Sequence, residues 1–173
     1  MVANIVLTGF MGTGKSTIAR LLAAELGREF VDTDLLIIDR HGEIADIFVE
    51  KGEAAFREIE KEMAIELAAR EGLVVASGGG MLLDPEVADI IGRGARVFCL
   101  TAQSDTILAR VVGDKSGTVR PLLAGPDPAG RVTDLLAQRS IRYGSFEQVP
   151  TDDRTPSDVV AELIDRLSLD ELP

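Results

Sequence analysis

Apolar and polar positions along this chain alternate between two periods. Short apolar blocks of strand length, such as Ile5-Val6-Leu7, Leu73-Val74-Val75-Ala76 and Val97-Phe98-Cys99-Leu100, are separated by stretches in which apolar residues recur every three or four positions. The blocks predict strands at 3–8, 29–33, 73–77 and 95–101, with a weaker fifth at 146–150. The stretches predict helices near 15–27, 34–41, 44–51, 53–71, 84–92, 103–112, 129–142 and 156–168. In the longest, Phe56, Ile59, Met63 and Leu67 would form the buried stripe. Thr155-Pro156-Ser157-Asp158 opens the last helix with a capping residue and a proline in the first turn. Strands feeding helices from end to end predict an α/β fold, a parallel sheet with helices on both faces. No linker, repeat or low-complexity segment interrupts the pattern, so residues 1–173 are expected to form one domain.

One stretch departs from it. Residues 113–127 have no clear periodicity and are rich in Gly and Pro. A loop that long inside a small domain is functional or disordered, and an arginine near its middle favours a closing lid. A lid of this kind serves to exclude water from a site.

Composition adds little until charge is considered. Hydrophobic residues make up 46% and charged residues 27%, ordinary for a globular protein. There is no apolar run of membrane-spanning length and no signal-peptide pattern, which predicts a cytoplasmic protein without a membrane partner. The lone Cys99 lies among strand residues and is expected to be a core thiol. A formal net charge of −11 argues against nucleic acid. Positive charge is nevertheless concentrated at 110–142, where Arg110, Lys115, Arg120, Arg131, Arg139 and Arg142 face only Asp114, Asp127 and Asp134. Arginine's planar fork suits phosphate and carboxylate, so this segment is a candidate anion site.

The chemistry follows from four signals. Gly9-Phe10-Met11-Gly12-Thr13-Gly14-Lys15-Ser16 is a G-x-x-x-x-G-K-S phosphate loop between a predicted strand and a predicted helix. Backbone N–H groups and the helix dipole converge there on an anion. Lys15 would reach the β- and γ-phosphates, and the Ser16 hydroxyl would hold Mg²⁺. Asp32 and Asp34, at the end of the second strand, are expected to point different ways from an extended chain, one toward the metal and the other toward the acceptor hydroxyl. Asp34 could equally cap the following helix. Arg57 and Glu60, one turn apart, form either a surface ion pair or a positioned grip on an anionic substrate group. Gly78-Gly79-Gly80 after the third strand would bring backbone amides against a small polar ligand.

These elements together resemble shikimate kinase. The phosphate loop, Asp32-Thr33-Asp34, Phe56-Arg57 with Glu60, the triple glycine, Arg120-Pro121-Leu122-Leu123 and Arg139 with Tyr143 occur in family order over nearly the whole chain. The resemblance implies a P-loop kinase fold of the nucleoside-monophosphate-kinase type, with a five-stranded parallel sheet, a lid near 113–127 and a substrate-binding helical region near 34–60. It implies transfer of the ATP γ-phosphate to the 3-hydroxyl of shikimate with Mg²⁺, by a monomer. Carried over, Gly12, Thr13, Gly14, Lys15, Ser16 and Thr17 would bind ATP. Arg110 and Pro156 would flank the adenine, and Arg120 would swing over the phosphates. Ser16 would ligate Mg²⁺ directly and Asp32 through water. Asp34 would orient the attacking hydroxyl, Arg57 and Arg139 would clamp the carboxylate, and the amides of Gly79 and Gly80 would meet the ring. Lys15, Asp34 and Arg120 would be catalytic.

The chain departs from the family around Ile37–Ile44, which makes His41 an ordinary surface residue, and after Tyr143, where the adenine pocket is built. Two other readings compete. A gluconate- or nucleotide-kinase-like enzyme would share the loop but not the three separated arginines with the triple glycine. A non-catalytic ATP-binding relative would have lost Asp34, Arg57 or Arg139, all present here.

Overall fold

Each predicted strand forms in the computed structural model, which describes residues 2–113 and 127–169. The strands are β1 (Asn4–Gly9), β2 (Glu29–Asp32), β3 (Leu73–Ala76), β4 (Ala95–Thr101) and β5 (Glu147–Pro150), in the order β2-β3-β1-β4-β5. Every pairing is parallel. The helices are α1 (Lys15–Leu26), α2 (Thr33–His41), α3 (Ile44–Ala68), α4 (Pro85–Gly92), α5 (Ser104–Gly113), α6 (Pro128–Tyr143) and α7 (Pro156–Leu169). The two helices expected at 44–51 and 53–71 are one element, α3, broken at Gly52, whose φ of 82° and ψ of 169° no helix contains. A short 3₁₀ turn at Met81–Leu83, not foreseen, follows the glycines. The expected lid falls almost wholly at 114–126, outside the described residues, and Lys115 and Arg120 fall with it.

The period of two in the strands decides the layers. Ile5 and Leu7 of β1 face α1 and α7, with Ile18, Leu22, Val159 and Leu163. Val6, between them, faces the opposite side, where Ile37, Phe56, Met63, Leu67 and Ile91 of α2, α3 and α4 pack. A third cluster under α5 and α6 gathers Phe10, Cys99, Ile107, Val132, Leu135 and Tyr143. Fully burying each such large apolar side chain is worth about 1.5–3 kcal/mol. Cys99 is buried as expected, and burial pushes its thiol up to about 11, so it stays neutral. Asn4 fastens the lower edge: its side chain donates to Leu67 O and Arg70 O and accepts from Leu73 N–H.

This arrangement sends the carboxyl ends of β1, β2 and β3 to one rim. In open parallel sheets, ligands bind in the crevice outside those ends.

Candidate active site

The phosphate loop is shaped by its glycines and by one carbonyl. Gly12 and Gly14 take φ of 77° and 92°, values that L side chains rarely adopt. Phe10, whose side chain is buried, offers its carbonyl to three donors: Thr13 Oγ1 at 2.8 Å, Lys15 Nζ at 2.9 Å and, more loosely, Thr13 N–H at 3.4 Å. The Thr13 side chain is thus turned inward, away from a phosphate site. Gly14 provides no side-chain cap to α1, so the first-turn amides of α1 are available to an anion. Ser16 and Thr17, in that turn, are exposed.

Ser16 Oγ donates to Asp32 Oδ2 at 2.6 Å, which joins the start of α1 to the end of β2. A hydroxyl and a carboxylate at one point are hard oxygen donors of the kind Mg²⁺ takes. Among the described residues no three His, Cys, Asp or Glu side chains gather around a common point. An ion here would therefore share its shell with phosphate oxygens and water, as Mg²⁺ commonly does.

The expectation for Asp32 and Asp34 needs correction. On an extended chain, residues two apart share a face rather than diverge. The chain is moreover not extended there, because α2 begins at Thr33. The cap is Asp32, whose Oδ1 accepts from Asp34 N–H and Leu35 N–H, and not Asp34. What separates the two carboxylates is the first turn of the helix. Asp32 is committed to Ser16 and the cap. Burial raises the Asp34 carboxyl above its ordinary range, the Asp32 charge adds to the rise, and Lys15 opposes it.

Each of the three glycines meets one arm of the site. A methyl group on Gly78 would stand 2.5 Å from Asp34 Oδ1 and 3.4 Å from Glu60 Oε1. Gly78 N–H is taken by Thr33 Oγ1 at 2.8 Å. The carbonyl of Gly79 accepts from Tyr143 Oη at 2.7 Å, and Gly79 also packs against Gly9 O and Met11 N of the phosphate loop. A methyl group on Gly80 would stand 2.9 Å from Arg57 Nη1. Among the described residues, the amides of Gly79 and Gly80 donate to no acceptor.

Arg57 and Glu60 are not a surface pair. The Glu60 carboxylate accepts from Arg57 Nη1 at 2.6 Å and is only 4% exposed, in the same stripe as Phe56 and Met63. Burial pushes Glu60 up to about 7, against the pull of Arg57 and with help from Asp34 and Glu53. Arg139, on α6, lies 5.4 Å from the centre of the Phe10 ring and stands beside the Tyr143 hydroxyl, one turn further on. Burial lifts the Tyr143 hydroxyl above its ordinary range, with Arg139 opposing.

Of the basic residues at 110–142 that are described, Arg110 and Arg139 face the phosphate loop. Arg110 donates to Gly12 O, Thr151 Oγ1 and Thr151 O, tying the loop to the turn after β5. Pro156, exposed, ends that turn and begins α7. Arg142 is turned to Leu82 O on the other side, and Arg131 is exposed. Of the six basic residues expected to form an anion site, Lys115 and Arg120 lie outside the described residues. Sequence reasoning gave no role to Thr33, Tyr143, Thr151 or the Phe10 carbonyl. Tyr143 carried a signal, four residues after Arg139 on one helix face.

A family model described as shikimate kinase matches residues 11–168. A shikimate kinase of Symbiobacterium thermophilum is 44% identical over 167 residues, covering 95% of each chain. One from Pseudomonas aeruginosa is 42% identical with the same coverage. Among solved structures, a shikimate kinase from Acinetobacter baumannii in complex with shikimate superposes with a TM-score of 0.91 at 32% identity, over 100% of this chain and 97% of that one. A gluconokinase from Sinorhizobium meliloti, at a TM-score of 0.61 and 17% identity, shares the fold alone.

Proposed function

The chain belongs to the shikimate kinase family, and from that premise we infer which of its residues perform the family's reaction. It is a kinase that uses ATP to phosphorylate shikimate in the shikimate pathway. In our reading the acceptor is the 3-hydroxyl. ATP lies along the phosphate loop, with backbone amides of Gly12, Thr13, Gly14, Lys15, Ser16 and Thr17 around its phosphates. Arg110 and Pro156 flank the adenine; the turn from Thr151 to Pro156, which Arg110 braces, supports this placement.

Shikimate lies over the glycine turn. Its carboxylate is held between Arg57 and Arg139, and its ring meets the amides of Gly79 and Gly80. Asp34 receives the hydroxyl that attacks. As the new P–O bond forms, the bond to the leaving ADP breaks and Asp34 takes the hydroxyl proton. A loose transition state demands little from a base, so positioning by Asp34 supplies much of its effect. Lys15 neutralises charge on the transferring phosphate, and Arg120 would add to that neutralisation from outside the described residues. Ser16 directly and Asp32 through water would hold Mg²⁺ bound with ATP, which would supply further charge neutralisation on the phosphate oxygens.

The observation that carries this reading is that three consecutive glycines meet Asp34, Tyr143 with its partner Arg139, and Arg57 in turn. A neutral polyol would forgo the charge-assisted hydrogen bonds that Arg57 and Arg139 offer a carboxylate. Arg139→Ala tests it. Steady-state kinetics should show KM for shikimate raised about tenfold or more, the worth of a lost charge-assisted hydrogen bond, with KM for ATP little changed. Equal effects on both would remove Arg139 from the carboxylate clamp.

We also propose a single-domain, cytoplasmic monomer without nucleic-acid or membrane partners. The net charge of −11 supports this, and no helix among the described residues is long and apolar enough to cross a membrane.

A further inference from the structure

Arg57 is held by two carboxylates that are not equivalent. Glu60 takes Nη1 at 2.6 Å from a buried position. Glu53 takes Nη2 at 2.9 Å from a side chain that is 65% exposed. Glu53 also directly follows Gly52, where α3 breaks. It therefore stands in the first turn of the second helical segment, where the dipole favours a carboxylate, beside a residue whose dihedrals turn with little resistance.

A guanidinium offers its donors as a planar fork, and an incoming carboxylate engages them best in pairs. Glu60 commits Nη1 and packs against the Gly78 side of the site. Nη2 is the terminal nitrogen that no buried carboxylate holds, and the exposed Glu53 stands on it. We propose that Glu53 is a built-in competitor for the substrate carboxylate, holding Arg57 Nη2 and yielding it as the acceptor binds. This rests on the reading that Arg57 belongs to the carboxylate clamp.

The asymmetry gives the device its logic. An exposed ion pair is weak, so a ligand carboxylate displaces Glu53 at small cost, while the buried Glu60 keeps the guanidinium in place. A ligand without a carboxylate cannot make that exchange. Glu53 thereby lowers the occupancy of Arg57 by any anion that has no other hold on the site.

Calorimetric titration of shikimate into the wild-type protein, Glu53→Gln, Glu50→Gln and Arg57→Ala tests this. Glu50 is an exposed carboxylate three positions earlier on the same helix and controls for a general loss of negative charge. Glu53→Gln should bind shikimate about two- to fivefold more tightly, the equivalent of a lost exposed ion pair, with ATP binding unchanged. Glu50→Gln should bind as wild type does. Unchanged or weaker binding by Glu53→Gln overturns the proposal, as does an equal gain in Glu50→Gln. Arg57→Ala separates the two layers: weakened binding keeps Arg57 in the clamp whatever Glu53 does. Wild-type binding there would remove Arg57 from the clamp, and Glu53's role with it.

Discussion

The donor and acceptor halves of this site are built from different materials. The donor half centres on one contiguous loop whose ligand-facing groups are mostly backbone amides, shaped by glycines at positive φ and one carbonyl shared by Thr13 and Lys15. The acceptor half takes side chains from α2, α3 and α6 around a turn at the end of β3, each beside a partner: Arg57 by Glu60, Arg139 by Tyr143, Gly78 by Thr33. A backbone site depends on chain geometry and binds any polyphosphate. A side-chain site depends on cross-bracing between distant elements and can recognise one molecule. The two halves touch where Gly79 packs against Gly9 and Met11.

That contrast is open to test on both sides. On the donor side the sensitive point is Lys15, the one charged side chain within the loop. Lys15→Met should cut the phosphoryl-transfer rate by about 10³-fold in a steady-state assay, with shikimate binding by calorimetry retained. A rate near wild type would mean that the amides alone suffice. On the acceptor side a neutral methyl group should be nearly as damaging. Gly78→Ala sets a Cβ 2.5 Å from Asp34 Oδ1, and the displaced carboxylate should cost about 10²-fold in kcat while KM for ATP holds. An unchanged kcat would show that Asp34 need not stand where it does.

The smallest effect is the most specific. Glu60 ionises only as pH rises through about 7, so its charged grip on Arg57 is present above that value and fades below it. Glu60→Gln should raise KM for shikimate about tenfold at pH 8.5, with the difference from wild type shrinking toward pH 5.5. Folding stability runs the other way. A carboxyl whose folded pKa lies above the unfolded one contributes most below about 4.3, and that contribution is lost as pH rises through 7. The melting temperature of Glu60→Gln should therefore change less across that range than that of the wild type. A KM ratio independent of pH would place the ionisation elsewhere.

The two halves also differ in how they are written in the chain. The phosphate loop is local, and its strand–turn–helix setting was legible from residues 5–24. So were the parallel α/β sheet, the break near Gly52 and the capped start of α7, where Thr155 and Asp158 hydrogen-bond each other. The acceptor half is long-range. Arg57 and Glu60 at helical spacing look like any surface pair, and only packing against Gly78 and Gly80 reveals that Glu60 is buried. Nothing in Asp32-Thr33-Asp34 shows which carboxylate caps α2, because that depends on whether β2 ends at 32 or 34, within the ordinary uncertainty of an element boundary. Thr33 was hidden for the same reason. Its hydroxyl finds Gly78 N–H, 45 residues away, only once β2 and β3 pair.

The most direct test of the account is ADP release from Mg-ATP with and without shikimate, for the wild type and for Asp34→Asn, with ATP binding measured on both. The account predicts a large shikimate-dependent rate in the wild type, and a rate near background in Asp34→Asn, which still binds ATP. Turnover by Asp34→Asn close to the wild-type rate would contradict it, because the acceptor hydroxyl would then be handled by some other group.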